Sequence, residues 1–85
     1  MTERFEGIIP FVKRVLSLVE GEEDWYKKST IVNDWLEDNN IELSSGENGL
    51  TVDSQTPMGK LLTQVMAIHA VQFDEVGLIN RGVLA

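Results

Sequence analysis

Residues 3–20 read ERFEGIIPFVKRVLSLVE, and the architecture of the N-terminal half rests on the conformation this stretch adopts. Placed on a helical wheel at about 100° per residue, Phe5, Ile8, Ile9, Phe11, Val12, Val15, Leu16, Leu18 and Val19 share one half. Glu3, Glu6, Lys13, Arg14, Ser17 and Glu20 share the other half, together with Pro10. Two structures fit. One is a single long helix kinked at Pro10 on its solvent face. The other is a helix over 10–20 with proline at its first position, preceded by a short N-terminal turn. The unbroken apolar face favours the kinked helix.

Working outward, Gly21 ends this segment. Glu22, Glu23 and Asp24 suit the positive N-terminus of a second helix, expected from about Asp24 to Asp38. Tyr26, Ile31, Val32, Trp35 and Leu36 form its apolar stripe, and Trp25 lies off that stripe. Asn39-Asn40 suits a left-handed stop. The period then changes. Ile41 and Leu43 alternate with Glu42, Leu50 and Val52 alternate with Thr51, and turn formers fill Ser44 to Gly49. This predicts a short β-hairpin with a longer loop, the alternative being an irregular acidic loop. Thr56-Pro57 is a helix start, with threonine as cap and proline at the first position. A third helix is expected from Pro57 to about Val76. Its apolar residues Leu61, Leu62, Met66, Ala67, Ile68, Ala70, Val71 and Phe73 cover well over half the wheel. Such a helix is buried on most sides, as the centre of the fold or as a shared interface. The tail 77–85 either packs back or stays available to a partner. The expected fold class is mainly α: a small three-helix domain with a short β-hairpin or ordered loop between helices 2 and 3, spanning 1–85 as a single domain.

Acid is concentrated in the middle. Between Glu20 and Asp53 stand ten carboxylates against Lys27 and Lys28, a net of −8 where the whole chain carries −7. Such a surface repels phosphate and attracts basic partners. With a pI near 4.5, direct binding of DNA or RNA is not expected, because phosphate neutralisation needs Lys and Arg. Met1 to Glu6 carries two acids where a signal peptide would be basic. The longest apolar stretch, Leu61 to Val71, is too short to span a bilayer. The reading is therefore a soluble, cytoplasmic protein, and the lack of cysteine fits a reducing compartment.

Chemistry-bearing patterns are few. With no Cys and one His, zinc ribbons and multi-His sites within one chain are excluded. His69 has Val65, Met66, Gln72 and Phe73 as helical neighbours, none of them the carboxylate that acid–base work needs. Gly46-Glu47-Asn48-Gly49 lacks the lysine of a phosphate loop. Neither Glu22-Glu23-Asp24 nor Glu37-Asp38 has the spacing of an EF-hand. No cofactor, metal or catalytic residue is expected, and the chain is read as not an enzyme.

Two local resemblances are present. Asp53-Ser54, with Val65-Met66-Ala67-Ile68, is similar to acyl carrier proteins, in which a serine after aspartate carries pantetheine. The usual leucine after the serine is missing, and an apparent helix fills the region of the carriers' long loop. Thr56-Pro57-Met58-Gly59-Lys60-Leu61-Leu62, on to Ala70 and Phe73, resembles the opening of the long linking helix of serine recombinases. The catalytic domain of those enzymes is absent from so short a chain, so the resemblance implies only a long exposed or dimerising helix.

The expected function is a non-enzymatic protein-binding module, an inhibitor or regulator acting on a basic partner. By analogy with phage-encoded antagonists of host defence, the carboxylates would mimic nucleic acid. The expected partner-binding residues are Glu22, Glu23, Asp24, Trp25, Asp34, Glu37 and Asp38, with Trp25 as anchor. The alternatives are a self-assembling accessory protein that forms a homodimer through helix 3 and, behind it, a carrier-like protein.

Overall fold

The computed structural model describes residues 1–44 and 51–75. Their elements run β1 (Thr2–Glu6), α1 (Ile8–Leu18), α2 (Trp25–Asp38), β2 (Asn40–Ser44), β3 (Thr51–Asp53) and α3 (Pro57–Glu75). This corrects the mainly α, three-helix expectation. The helices pack on one face of a three-stranded mixed sheet of order β1-β2-β3. The turn-rich run 45–50 and the tail 77–85 lie outside the described residues.

The N-terminal stretch overturns the expectation. Thr2–Glu6 is neither the start of a kinked helix nor a turn. It is a strand running parallel to β2, in register from Thr2 opposite Asn40 to Glu6 opposite Ser44. Asn40 N–H donates to the Met1 carbonyl (2.9 Å) at one end, and Gly7 N–H donates to the Ser44 carbonyl (2.7 Å) at the other. The five residues also fit a period of two, with Glu3 and Phe5 turned inward and Thr2, Arg4 and Glu6 exposed. Phe5 is an inward residue on either period, so the wheel does not separate them. Gly7 does. Its φ of 90° and ψ of 175° lie in a region essentially confined to glycine, and no helix passes through it. Pro10 then falls in the first turn of α1, where the backbone N–H would have no intrahelical acceptor anyway.

The second expected helix forms as α2, but its end differs from the sequence reading. Asn39 is extended at φ −129° and ψ 150° rather than left-handed. Its side-chain amide donates to the Trp35 carbonyl at 2.9 Å, satisfying one orphan acceptor while the backbone passes straight into β2. β2 alternates, with Ile41 and Leu43 buried between half-buried neighbours. It pairs antiparallel with β3, Leu43 opposite Val52.

The core joins Phe11, Val15 and Val19 of α1 and its end, Val32, Trp35 and Leu36 of α2, Ile41 and Leu43 of β2, and Ala67 and Val71 of α3. Phe5, Phe11 and Trp35 form an aromatic cluster with centroids 5.6–6.4 Å apart. Glu3, on the inner face of β1, accepts from Trp35 Nε1 (2.8 Å) and from Arg14 Nε (3.1 Å). Arg14 also lies over the Trp35 ring at 5.8 Å.

α3 is not buried on most sides. It packs against α1 and α2 with Thr63, Ala67, Ala70 and Val71 on its buried side, and Gly59 meets the end of β3. Its opposite side is open: Leu61, Leu62, Val65 and Phe73 are 40–54% exposed. Thr56 caps the helix, its hydroxyl accepting from Gly59 N–H at 3.0 Å. A Cβ on Gly59 would stand 1.9 Å from the Asp53 carbonyl oxygen, so glycine is what lets α3 begin this close to β3.

Substitutions at three of these positions are expected to separate strain, clash and cavity. Gly7→Ala should cost about 1–3 kcal/mol through backbone strain alone, since an added Cβ meets nothing there. Phe11→Ala should cost about 3–5 kcal/mol. Gly59→Ala should cost more than Gly7→Ala, because backbone must move to admit it. Urea denaturation checks all three. Gly7→Ala at wild-type stability would contradict the strand-to-helix turn.

Candidate functional site

The expected acidic surface centres on α2, and its carboxylates divide by what the fold does with them. Glu22 and Asp24 build the start of the helix. Glu22 Oε1 accepts from the backbone N–H groups of Glu23 and Asp24, each at 3.1 Å. Asp24 is the N-cap, its Oδ2 accepting from Lys27 N–H at 3.1 Å. Both act at the positive end of the helix, where negative charge is favourable. Glu23 is exposed beside them.

The other end of α2 is the reverse case. Val32, Trp35 and Leu36 are buried, which turns Asp34, Glu37 and Asp38 outward, all three exposed. They occupy the last turn and a half of the helix, where its macrodipole is negative, and no basic residue accompanies them in the last turn. Asp34 and Asp38 are four apart, so they meet on one face as a like-charge pair. Glu37 is neutralised from another element: Lys60 Nζ of α3 lies 2.9 Å from Glu37 Oε1. No partner is found for Asp34 or Asp38 among the described residues. The seven expected site residues therefore form two groups at opposite ends of α2, separated by about 15–20 Å of helix at 1.5 Å per residue, with Lys27 and Lys28 nearer the first.

Trp25 is 39% exposed at the start of α2, beside Tyr26 at 76%. Trp35 is core, as its place on the apolar stripe implies. Ser54 lies in the turn before α3 and not at a helix start. Its hydroxyl accepts from Ile41 N–H (2.7 Å) and donates to Asn40 Oδ1 (3.3 Å), which ties the end of β3 to β2. A polar cleft of about 350 Å³ lies beside it, bordered by Glu37, Asp38, Asn40, Ser54 and Lys60. Among the described residues no three His, Cys, Asp or Glu side chains come together to hold a metal ion.

Sequence reasoning missed two features. On the outer face of the sheet, Glu42 stands opposite Asp53, and Arg4 Nε pairs with Glu42 at 2.9 Å. Finding this needs the β1–β2 register. The second is an apolar groove of about 260 Å³ between α1 and α3, lined by Ile8, Val12, Val65, Met66, His69 and Phe73. His69 is exposed there, its ring edge-on to Phe73 at 5.8 Å. The wide apolar arc of the third helix was the available signal, but it does not say which side is covered. No helix among the described residues is long and apolar enough to cross a membrane. Comparison with family models, curated proteins and solved structures gives no match to this chain.

The two acidic groups are expected to respond differently to neutralisation. Asp24→Ala removes a cap and should cost about 0.5–2 kcal/mol. Glu23→Gln, at a carboxylate with no such duty, should stay within about 0.5 kcal/mol of wild type. Thermal melts of the two variants in parallel check this. Equal losses would remove the distinction between structural and free carboxylates.

Proposed function

We propose that this protein works by binding another protein, and that the C-terminal half of α2 presents the acid that selects a basic partner. One observation carries the reading. Asp34 and Asp38 are exposed and repel one another at one-turn spacing, and Asp38 closes the helix at its negative end. Local physics disfavours carboxylates there, by a few tenths of a kcal/mol for the pair and a similar amount for the dipole. A conflict of that kind is what a binding surface leaves in a free protein, since the opposite charge arrives with the partner. The net charge of −7 adds a long-range field that speeds encounter with a positive surface and keeps nucleic acid away. Glu23 extends the acid at the other end of the helix, and Trp25 is the apolar side chain nearest to it in sequence. The proposed role is inhibition or regulation without catalysis, and the proposed setting is the cytoplasm, where a chain without cysteine forgoes nothing. The finer version, in which the carboxylates replace phosphates in a nucleic-acid-binding cleft, adds one requirement: the partner's nucleic acid must compete.

The test is affinity capture from the native host with wild-type and D34K/D38K baits side by side. The expected result is a partner with a basic surface that the wild type retains and the variant loses. Its association should slow as salt rises, because exposed charges are screened beyond about 10 Å at 0.1 M. The neutral pair D34N/D38N should raise folding stability by a few tenths of a kcal/mol while weakening that binding. Capture that is equal for both baits, or that is indifferent to salt, would leave these carboxylates as solubilising charge. Salt-sensitive capture without competition from nucleic acid would keep the binding module and discard the mimic.

A further inference from the structure

The outer side of α3 is a continuous stripe. Met58, Leu61, Leu62, Val65, His69, Gln72 and Phe73 all point away from the buried side formed by Gly59, Thr63, Ala67, Ala70 and Val71. Ile8 and Val12 of α1 extend it across the groove. Ile8, Met58, Leu61, Leu62, Val65 and Phe73 are each 40–66% exposed. The apolar surface left open is on the order of several hundred Å², the scale of the largest patch on a monomer. It is a large part of the roughly 800 Å² that each partner of a standard interface contributes.

Charge decides what can cover it. No Asp, Glu, Lys or Arg lies on the stripe. Lys60, next to Leu61, is turned aside to Glu37 at 2.9 Å, and Lys13 follows Val12 on the exposed side of α1. A basic partner drawn to this molecule finds nothing to pair with on the stripe. An anionic lipid surface is repelled by the net −7, and the two lysines beside the stripe, Lys13 and the Glu37-paired Lys60, fall short of the Lys/Arg-rich polar face by which interfacial helices hold such lipids. A second copy carries the same −7, so two copies can approach closely only where the acid is absent, and this stripe is such a place. A two-fold contact also requires a surface complementary to itself. A stripe of uncharged side chains around Val65 meets that requirement without charge pairing, while a patch of like charge would not.

We propose that the α1–α3 face is the interface of a homodimer, with Val65 near the two-fold axis and the α3 helices crossing over one another. Burial of Leu61, Leu62 and Phe73 then supplies apolar surface that the modest core of the single chain leaves exposed. Because the copies repel elsewhere, salt should strengthen this association, the opposite of its effect on a basic partner at α2.

Sedimentation of the full chain, of V65E and of V65K, alone and mixed in equal amounts, tests the interface. Val65 is 44% exposed, so both variants should fold, which circular dichroism checks. The wild type should be dimeric at tens of micromolar and tighten with added salt. Each variant alone should be monomeric, with its dissociation constant raised roughly tenfold or more. The mixture should return to dimer. The carboxylate introduced on one copy and the ammonium introduced on the other would meet only in a contact between copies across this face. A wild type that stays monomeric to high micromolar, folded variants that stay dimeric, or a mixture of folded variants that does not reassociate would each overturn the proposal. Capture of a basic partner through Asp34 and Asp38 is a separate readout, unaffected by V65E, so the two readings stand or fall independently.

Discussion

The parallel pairing of Thr2–Glu6 with Asn40–Ser44 is the constraint from which the rest of the molecule follows. A parallel pair cannot be closed by a tight turn. The chain between the two strands must cross over, and α1 and α2 are that crossover. Once β1 lies beside β2, Phe5 is brought against Phe11 and Trp35, and Glu3 reaches both Trp35 Nε1 and Arg14. A carboxylate facing the inner side of a sheet would be costly without partners. Here it receives an indole N–H and a guanidinium N–H, so β1, α1 and α2 are joined at one point. The contact supplies geometry more than energy, because Arg14 is partly solvated and exposed ion pairs contribute little.

The same arrangement explains why α3 has two different sides. β3 and its turn deliver the helix to the crossover pair, and the close approach at Gly59 holds it there. Small residues face inward at Thr63, Ala67 and Ala70, so α3 lies close against α1 and α2. The larger apolar residues face outward. A single-layer sheet with three helices on one face has no further element among the described residues to cover that side. The outward placement of Leu61, Leu62, Val65 and Phe73 is thus a product of topology.

Acid and apolar surface are kept apart by α2. Its inward residues complete the core, and its outward residues carry carboxylates at both ends, one set in accord with the helix dipole and one against it. Glu22 and Asp24 shape the helix start. Asp34 and Asp38 do nothing comparable for the fold, so composition alone, which counts all four alike, misjudges their roles.

Helix existence was legible in the sequence wherever a long apolar stripe met a clear cap: Asp24 before α2 and Thr56-Pro57 before α3 are local signals, and side-chain to backbone bonds a few residues long realise them. The alternation of β2 was legible for the same reason, since Ile41 and Leu43 show their period within a few residues. The net acidity and its confinement to the middle of the chain are likewise properties of the sequence alone. Only the tertiary structure decided that Thr2–Glu6 is a strand, because one phenylalanine among polar residues satisfies both periods and the partner that settles the choice is the distant strand Asn40–Ser44. It also decided which side of α3 is covered, and that Glu37 is paired while Asp34 and Asp38 find no partner among the described residues. Those outcomes depend on which distant backbone and side-chain groups come within hydrogen-bonding or contact range, and range in space is what a linear pattern of residues does not contain.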